Sequence, residues 1–216
     1  MPTRRWDSLD ADRKAALLAA AAAEFAAHGY VAASFARILA RAGTSKGAVY
    51  YYFEDKADLY ATVVTDTIGR FVAHCGAPPA VTDAASFWDA VAAMTRRAMR
   101  YYRIDPHIAG VIRSLATDGL AVAPVAEIRA FSDRWFGALV EVGQALGAVR
   151  ADLPPGLLLS IATGMSQGVD VWLADHVAAL DDDALDAIAA EVTDLYRRMA
   201  APSRSPRSGA PTEEAP

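Results

Sequence analysis

The sequence lacks several features that would narrow its function. Cys75 is the only cysteine among 216 residues, which excludes an intrachain disulfide and any metal site built from several cysteines. No continuous apolar run reaches the roughly 18 residues that a membrane span needs, and the N-terminus has no apolar stretch typical of a secretory signal. These absences predict a cytoplasmic protein that has no membrane partner.

Signatures of enzymes are missing as well. The sequence contains no GxxxxGK[ST] phosphate loop, no GxGxxG and no HExxH. His74 and Cys75 are adjacent, and adjacent positions on a helix point about 100° apart, so they do not form one metal or thiol site. His107 and His176 have no acidic partner at helical spacing. We therefore expect no enzyme activity, no catalytic or metal-binding residue and no cofactor.

The residues that are present favour an all-α fold. Hydrophobic residues make up 54% of the chain and charged residues 22%, which is enough for a sizeable core. Alanine-rich stretches alternate with short breaks at glycine, proline and aspartate, and no strand-like alternation appears between them. The sequence predicts about nine helices, near residues 10–28, 34–41, 45–52, 56–75, 83–103, 106–117, 124–147, 155–177 and 183–200.

Charge is distributed unevenly along the chain. The net charge is −5, yet residues 1–60 carry eight Lys or Arg against seven Asp or Glu and hold all three lysines. Residues 61–200 carry eleven against seventeen. Because affinity for DNA comes from local phosphate contacts, a near-neutral head with a few cations on an acidic body can still bind DNA.

Residues 34–53 have the pattern of a helix-turn-helix. Ser34 can cap a short helix, Gly43 can take the positive φ of a tight turn, and Ser45 can cap a second helix. Val49 and Phe53 are four residues apart and give that second helix one buried stripe. Its other side presents Lys46, Gly47, Tyr50 and Tyr51, which suit phosphates and base edges.

The stretch from Phe25 to Leu59 resembles the DNA-binding domain of the TetR family of bacterial transcriptional regulators. The matching pieces are FAAHGY (25–30), ILARAG (38–43), TSKGAVYYYF (44–53) and EDKADLY (54–60). Ala33 stands where the family usually has Thr, and Leu39 where a small Ala is usual. The resemblance implies contacts with double-stranded operator DNA from Ser34, Thr44, Ser45, Lys46, Gly47, Ala48, Tyr50, Tyr51, Tyr52 and Lys56.

The resemblance also implies a division of the chain. Residues 1–55 would form the DNA-binding domain and residues 56–200 an effector-binding and dimerisation domain, followed by a disordered tail at 201–216. A cavity in the body would bind an unidentified small hydrophobic effector. Aromatic residues, Met and His supply candidate lining residues, namely Trp88, Met94, Tyr101, Tyr102, His107, Trp135, Met165, Trp172 and His176.

A strip of small residues predicts where two copies meet. Ser160, Gly164 and Gly168 are spaced by four, so one helix face is bare and another helix can approach it closely. Family members resembling this chain dimerise through their last two helices. Two alternatives stay open. The glycines of the strip can be tolerated in the core of a monomer. The whole chain can also be a helical ligand-binding protein that does not bind DNA. Within DNA binding, both repression and activation fit, with repression the commoner mode in the family.

Overall fold

A computed structural model describes residues 4–76, 80–117 and 125–202 of the chain, and within these ranges it contains helices and no β-strand. The all-α prediction is confirmed. The α-helices are α1 (Arg4–Asp7), α2 (Ala11–Ala32), α3 (Phe35–Ala42), α4 (Lys46–Tyr50), α5 (Lys56–Cys75), α6 (Ala84–Ile104), α7 (Ile108–Thr117), α8 (Val125–Ala145), α9 (Pro155–His176) and α10 (Asp182–Ala200).

Each of the nine predicted helices overlaps an observed one, because the signals that start helices are explicit in the sequence. Aspartate or serine side chains accept hydrogen bonds from first-turn amides at Asp10, Ser34, Asp55, Asp83 and Asp181. The short α1 was not predicted. The end of α2 also differs from the predicted end at residue 28, since the chain kinks at Gly29 and then continues helically to residue 32.

The head of the molecule is built on one core. Most of its buried side chains come from α2, α3, α4 and the first turns of α5. Trp6 of α1 and Val111 of α7 also belong to it. Phe25, Ile38 and Phe53 are fully buried at its centre. The head core therefore extends beyond the predicted domain boundary at residue 55 and includes Leu59 to Val64 of α5.

The body has two further clusters of buried side chains. One joins α6, α7, α9 and α10 around Tyr102, Ile108 and Leu173. The other lies around Phe87 and Leu158 and includes the turn after α8. Cations on α6 pair across the surface with the acidic start of α10, as in the bidentate contact of Arg100 with Asp186. The two clusters flank the cavity described below.

Two helices connect the head to the body. α5 begins in the head core and ends beside the body clusters. α7 packs along α2 so closely that a Cβ added at Gly110 would lie 2.5 Å from the Cβ of Ala26. Glycine is required at this contact because the two backbones almost touch. Tyr60 on α5 and Ser114 on α7 add a buried hydrogen bond of 3.1 Å between the connecting helices.

Two segments are long and apolar enough to cross a membrane by length and composition, Ala11–Ala32 and Pro155–Ala179. The expectation of no such segment rested on uninterrupted apolar runs, and both segments pass when hydropathy is averaged over a window. In the fold, α2 buries Leu17 and Phe25 in the head core, and α9 buries Leu158 and Leu173 in the body. Residues 203–216 of the predicted tail lie outside the described residues.

Candidate DNA-binding surface and ligand cavity

The turn between α3 and α4 has the geometry that its sequence predicts. The Ser34 hydroxyl accepts a hydrogen bond from the backbone N–H of Arg37 at the start of α3. Gly43 ends the helix at φ 62° and ψ 31°, a left-handed conformation that glycine adopts without steric cost. The backbone N–H of Thr44 then donates to the carbonyl of Leu39 at 3.1 Å. This closure satisfies an end carbonyl of α3 and directs the chain into α4.

α4 has one buried face and one accessible face. Val49 and Phe53 are buried, which confirms the predicted stripe. Lys46 and Gly47 are exposed, and a Cβ added at Gly47 would meet no atom within 4 Å. Tyr50 is about half exposed. The accessible face therefore offers a cation, open backbone and a phenol side by side.

Aromatic packing holds the tyrosines of residues 50–52 in different directions. The ring centroids of Tyr50 and of Phe35 on α3 are 5.4 Å apart. The Lys46 ammonium lies 5.6 Å from the centroid of the Tyr50 ring. Tyr52 turns inward, and its ring lies 6.0 Å from Trp6. Trp6 is buried and was not among the residues predicted to support the helix-turn-helix. Tyr51 is about half exposed, and the side chain of Ala48 lies outside the described residues.

Two cations hold the loop that joins α2 to α3. The Lys56 ammonium donates to the carbonyl oxygens of Val31 at 3.1 Å and Ala33 at 3.3 Å. The Arg37 guanidinium donates to the carbonyl of Ala32 at 3.3 Å. Three successive carbonyls at the end of α2 are thus satisfied by side chains from α3 and α5. We call this arrangement the carbonyl clamp.

A buried carboxylate supports the clamp from inside the head. Glu24 accepts from the Nε of Arg37 at 2.8 Å and from the backbone N–H of Ser34 at 2.8 Å. The Arg37 hydrogen bond, the largest influence, holds the pKa of Glu24 below its usual range, although burial acts in the opposite direction. The clamp changes the expectation for Lys56. Its contact with operator DNA remains a prediction, but the ammonium already fixes the loop that carries Ser34.

The body contains a cavity of about 390 Å³ between α5, α6, α7, α8, α9 and α10. Its walls are mostly aliphatic, aromatic and methionine side chains. Of the residues predicted to line a pocket, Trp88, Met94 and Tyr102 do so. Residues that were not predicted also line it, including Phe71, Phe87 and Asp170.

Five of the predicted pocket residues lie elsewhere. Tyr101 packs against Phe71 and His74 of α5, since adjacent positions on α6 point about 100° apart and Tyr102 takes the cavity side. Trp172 stacks on His176 with ring centroids 4.3 Å apart, and both are exposed. His107 and Met165 are also absent from the cavity walls. The side chain of Trp135 lies outside the described residues.

Polar groups converge at one place on the cavity wall. The Tyr102 hydroxyl donates a hydrogen bond to Oδ1 of Asp170. The hydroxyls of Ser166 and Tyr196 are 2.6 Å apart. Burial raises the pKa of Asp170 to about 6, although the Tyr102 hydrogen bond acts to lower it. Burial also raises the pKa values of Tyr102 and Tyr196, so both are neutral hydroxyls near pH 7.

The small-residue strip of α9 faces outward. Ser160, Gly164 and Gly168 are exposed, and a Cβ at either glycine would meet no atom within 4 Å. Packing within the described part of one chain therefore does not require these glycines. Large apolar side chains flank the strip on the surface, including Leu157, which is 47% exposed, and Trp172, which is 41% exposed. Contiguous exposed apolar surface of this kind is typical of a protein interface.

Among the described residues, no group of three or more His, Cys, Asp or Glu side chains is placed to hold a metal ion. Burial raises the pKa of the Cys75 thiol to about 11, so it stays protonated on the cavity wall. The head and the cavity thus define a helix-turn-helix protein with a separate site suited to a small hydrophobic molecule.

Comparison with known proteins agrees with this class. Residues 17–63 match the family model described as bacterial regulatory proteins, tetR family. A search among curated proteins finds no match. The sequence match covers the head, including α3, α4 and the start of α5. The resemblance to the TetR family is therefore confirmed.

Solved structures extend the likeness to the body as a matter of fold. A TetR family transcriptional regulator from Chloroflexus aurantiacus J-10-FL is 24% identical, with a TM-score of 0.68 over 93% of this chain and 98% of the other. The fatty acid degradation regulator FadR from Bacillus halodurans is 20% identical, with a TM-score of 0.72 over 88% and 96%. FadR from Bacillus subtilis, in complex with stearoyl-CoA, is 18% identical, with a TM-score of 0.70 over 84% and 96%.

Proposed function

We propose that this chain is a homodimeric transcriptional repressor that binds a near-palindromic operator and leaves it when a small hydrophobic effector enters the body. The observation that carries the proposal is the accessible face of α4. Lys46, Gly47 and Tyr50 lie together on it, while Val49 and Phe53 anchor the helix from behind. In a helix-turn-helix the second helix enters the major groove, and this face carries the groups that would meet DNA.

The outward strip on α9 supports the dimer. A second copy meeting the same strip would bury the exposed Leu157, Ile161 and Trp172 and would use the open space over Gly164 and Gly168. Such a contact is symmetric, and symmetric dimers are the commonest assembly of soluble proteins. Two heads related by a dyad would present two recognition helices, so the operator would contain two half-sites about one helical turn or slightly more apart.

The connecting helices supply the route from effector to operator. Ile112 and Leu115 of α7 line the cavity, whereas Val111 lies in the head core. On α5, Ile68 and Phe71 line the cavity and Leu59 lies in the head core. A molecule that pushes these walls apart would favour a conformer with a different head spacing, which is a shift of population between two states. FadR from Bacillus subtilis shares this fold and was solved with stearoyl-CoA, whose long acyl chain is apolar, and this supports an effector with a large apolar part.

The test is a DNA-binding and release assay. Purified protein is titrated against duplexes from its own genomic neighbourhood and against scrambled duplexes, and bound sites are footprinted. We expect a protected pair of half-sites and lower affinity when an effector is added. Binding to no neighbouring duplex would contradict the proposal and favour a ligand-binding protein without DNA. Binding that an effector strengthens, with transcription rising, would indicate an activator.

A further inference from the structure

The cavity wall carries a single formal charge among the described residues. Asp170 is the only Asp, Glu, Lys or Arg side chain that lines it. Tyr102 donates to one of its carboxylate oxygens. The ion pairs found in the described part of the chain do not include Asp170. One neutral hydroxyl is therefore its partner, and no positive charge compensates it there.

Such a carboxylate is costly in an apolar setting. Burial raises its pKa to about 6, so at neutral pH it is still mostly ionised and lies against a largely apolar cavity. A buried charge without a countercharge destabilises the fold. Sites with strongly perturbed titratable groups are frequently functional, and here the perturbed group opens onto space large enough for a ligand.

The surroundings of Asp170 show which ligand fits. The Ser166 and Tyr196 hydroxyls lie on the same wall and can accept further hydrogen bonds. No Lys, Arg or His is found among the described lining residues, so an anionic head group would meet a carboxylate and no cation. The remaining surface, with Phe87, Trp88 and Met94, offers apolar and aromatic contact, which suits a hydrocarbon body and tolerates a nearby cation.

We propose that the effector is a hydrophobic amine whose protonated nitrogen binds the Asp170 carboxylate and whose apolar part occupies the cavity beside Phe87 and Trp88. This inference rests on the proposed function, since it names the ligand class of that same cavity. The ammonium supplies the countercharge that the described wall lacks. An N–H donor to a carboxylate is a charge-assisted hydrogen bond, about twice as strong as a neutral one.

The test compares three probes that share one ten-carbon chain: decylamine, decanol and decanoate. Each is titrated calorimetrically into the full-length protein at pH 7.5, below its own aggregation concentration. We expect decylamine to bind about tenfold or more tightly than decanol, and decanoate to bind most weakly. Asp170→Asn keeps the shape of the side chain and removes its charge. It should weaken decylamine binding about tenfold or more and leave decanol within about twofold of the unmodified protein.

A matched control is Asp175→Asn on the same helix, because Asp175 is exposed and pairs with Arg113 at 3.6 Å. It should change no probe's affinity, and Asp170→Glu should restore part of the amine preference. The inference is overturned if decanoate binds as tightly as decylamine, if Asp170→Asn keeps the preference, or if decylamine does not bind. These titrations contain no DNA. Failure to bind an operator would therefore remove the proposed regulatory function and leave the amine preference unaffected. Loss of the amine preference would likewise leave the evidence for DNA binding unaffected.

Discussion

Replacing Asp170 by Asn should stabilise the protein in the absence of ligand. The substitution keeps the size of the side chain and an oxygen that can accept from Tyr102, and it removes a half-buried charge that has no countercharge among the described residues. Most substitutions of buried groups destabilise a fold, so a gain here would be unusual. It would identify Asp170 as a residue kept for binding at the expense of stability.

The magnitude follows from the pKa. Burial raises the pKa of Asp170 from an ordinary 3.8 to about 6, and each pH unit between the two values corresponds to about 1.4 kcal/mol. A carboxyl whose pKa is higher in the folded state stabilises the fold at pH below 4 and loses that contribution as the pH rises through about 6. At pH 7 the ionised group therefore lowers the free energy of unfolding by about 3 kcal/mol. Asp170→Asn should recover about 2–3 kcal/mol of this, or roughly 5–10 °C in Tm.

The assay is urea unfolding of both proteins at pH 7 and pH 5, with Asp175→Asn as the exposed control. The other titratable groups facing Asp170 are Tyr102 on α6 and Tyr196 on α10, whose raised pKa values keep them neutral in this range. The gain should shrink at pH 5, where the folded protein is largely protonated at this site. A gain that is equal at both pH values, or a loss of stability at pH 7, would refute the assignment of a half-buried charge without a countercharge.

Three further predictions test other parts of the account. Gly110→Ala should cost about 1–3 kcal/mol because its Cβ would collide with the α2 backbone, whereas Gly69→Ala on α5 meets no atom within 4 Å and should stabilise by up to about 1 kcal/mol; equal effects in urea unfolding would contradict the close approach. Glu24→Gln should lower the free energy of unfolding by about 1–2 kcal/mol at pH 7. Because the pKa of Glu24 is lowered in the fold, this cost should fade as the pH drops below the pKa of Glu24 in the unfolded chain. A cost that does not depend on pH would count against the pairing with Arg37. Gly164→Leu should separate the proposed dimer in sedimentation while each chain stays folded, and an intact dimer would place the interface elsewhere.

The helix-turn-helix was predictable from sequence because its determinants are local. Ser34 caps, Gly43 turns, and Val49 with Phe53 marks the buried face, all within 20 residues. Once Val49 and Phe53 mark the buried face, the spacing of residues along α4 decides which side chains are accessible. The same local logic could not reveal the carbonyl clamp, since Lys56 meets carbonyls 23 and 25 residues earlier in the chain.

The cavity was predicted only in part because α9 has two apolar faces. One face, with Leu158 and Leu173, closes the cavity, and the other, with Leu157 and Trp172, is exposed. Hydrophobicity alone does not say which apolar residue points inward, so Trp172 was assigned to the wrong face. Asp170 was not predicted to line the cavity because it is polar. A single aspartate on a helix ordinarily indicates a solvated face, and its burial depends on α6 and α10 packing over it.

The most direct test of the central claim, that the accessible face of α4 recognises DNA, is the ratio of affinities for operator and scrambled duplex, measured by fluorescence anisotropy over a salt series. If the side chain contacts a base, we expect Tyr51→Ala or Lys46→Ala to lower this ratio, which corresponds to a loss of about 1–3 kcal/mol of binding free energy per half-site on the operator. A phosphate contact would instead reduce the salt slope by about 1 per half-site. Arg198→Ala on α10, an exposed cation far along the chain from the head, should change neither quantity. If both the Lys46 and the Tyr51 variants match the unmodified protein in affinity ratio and in salt slope, the surface that binds DNA is not the one assigned here.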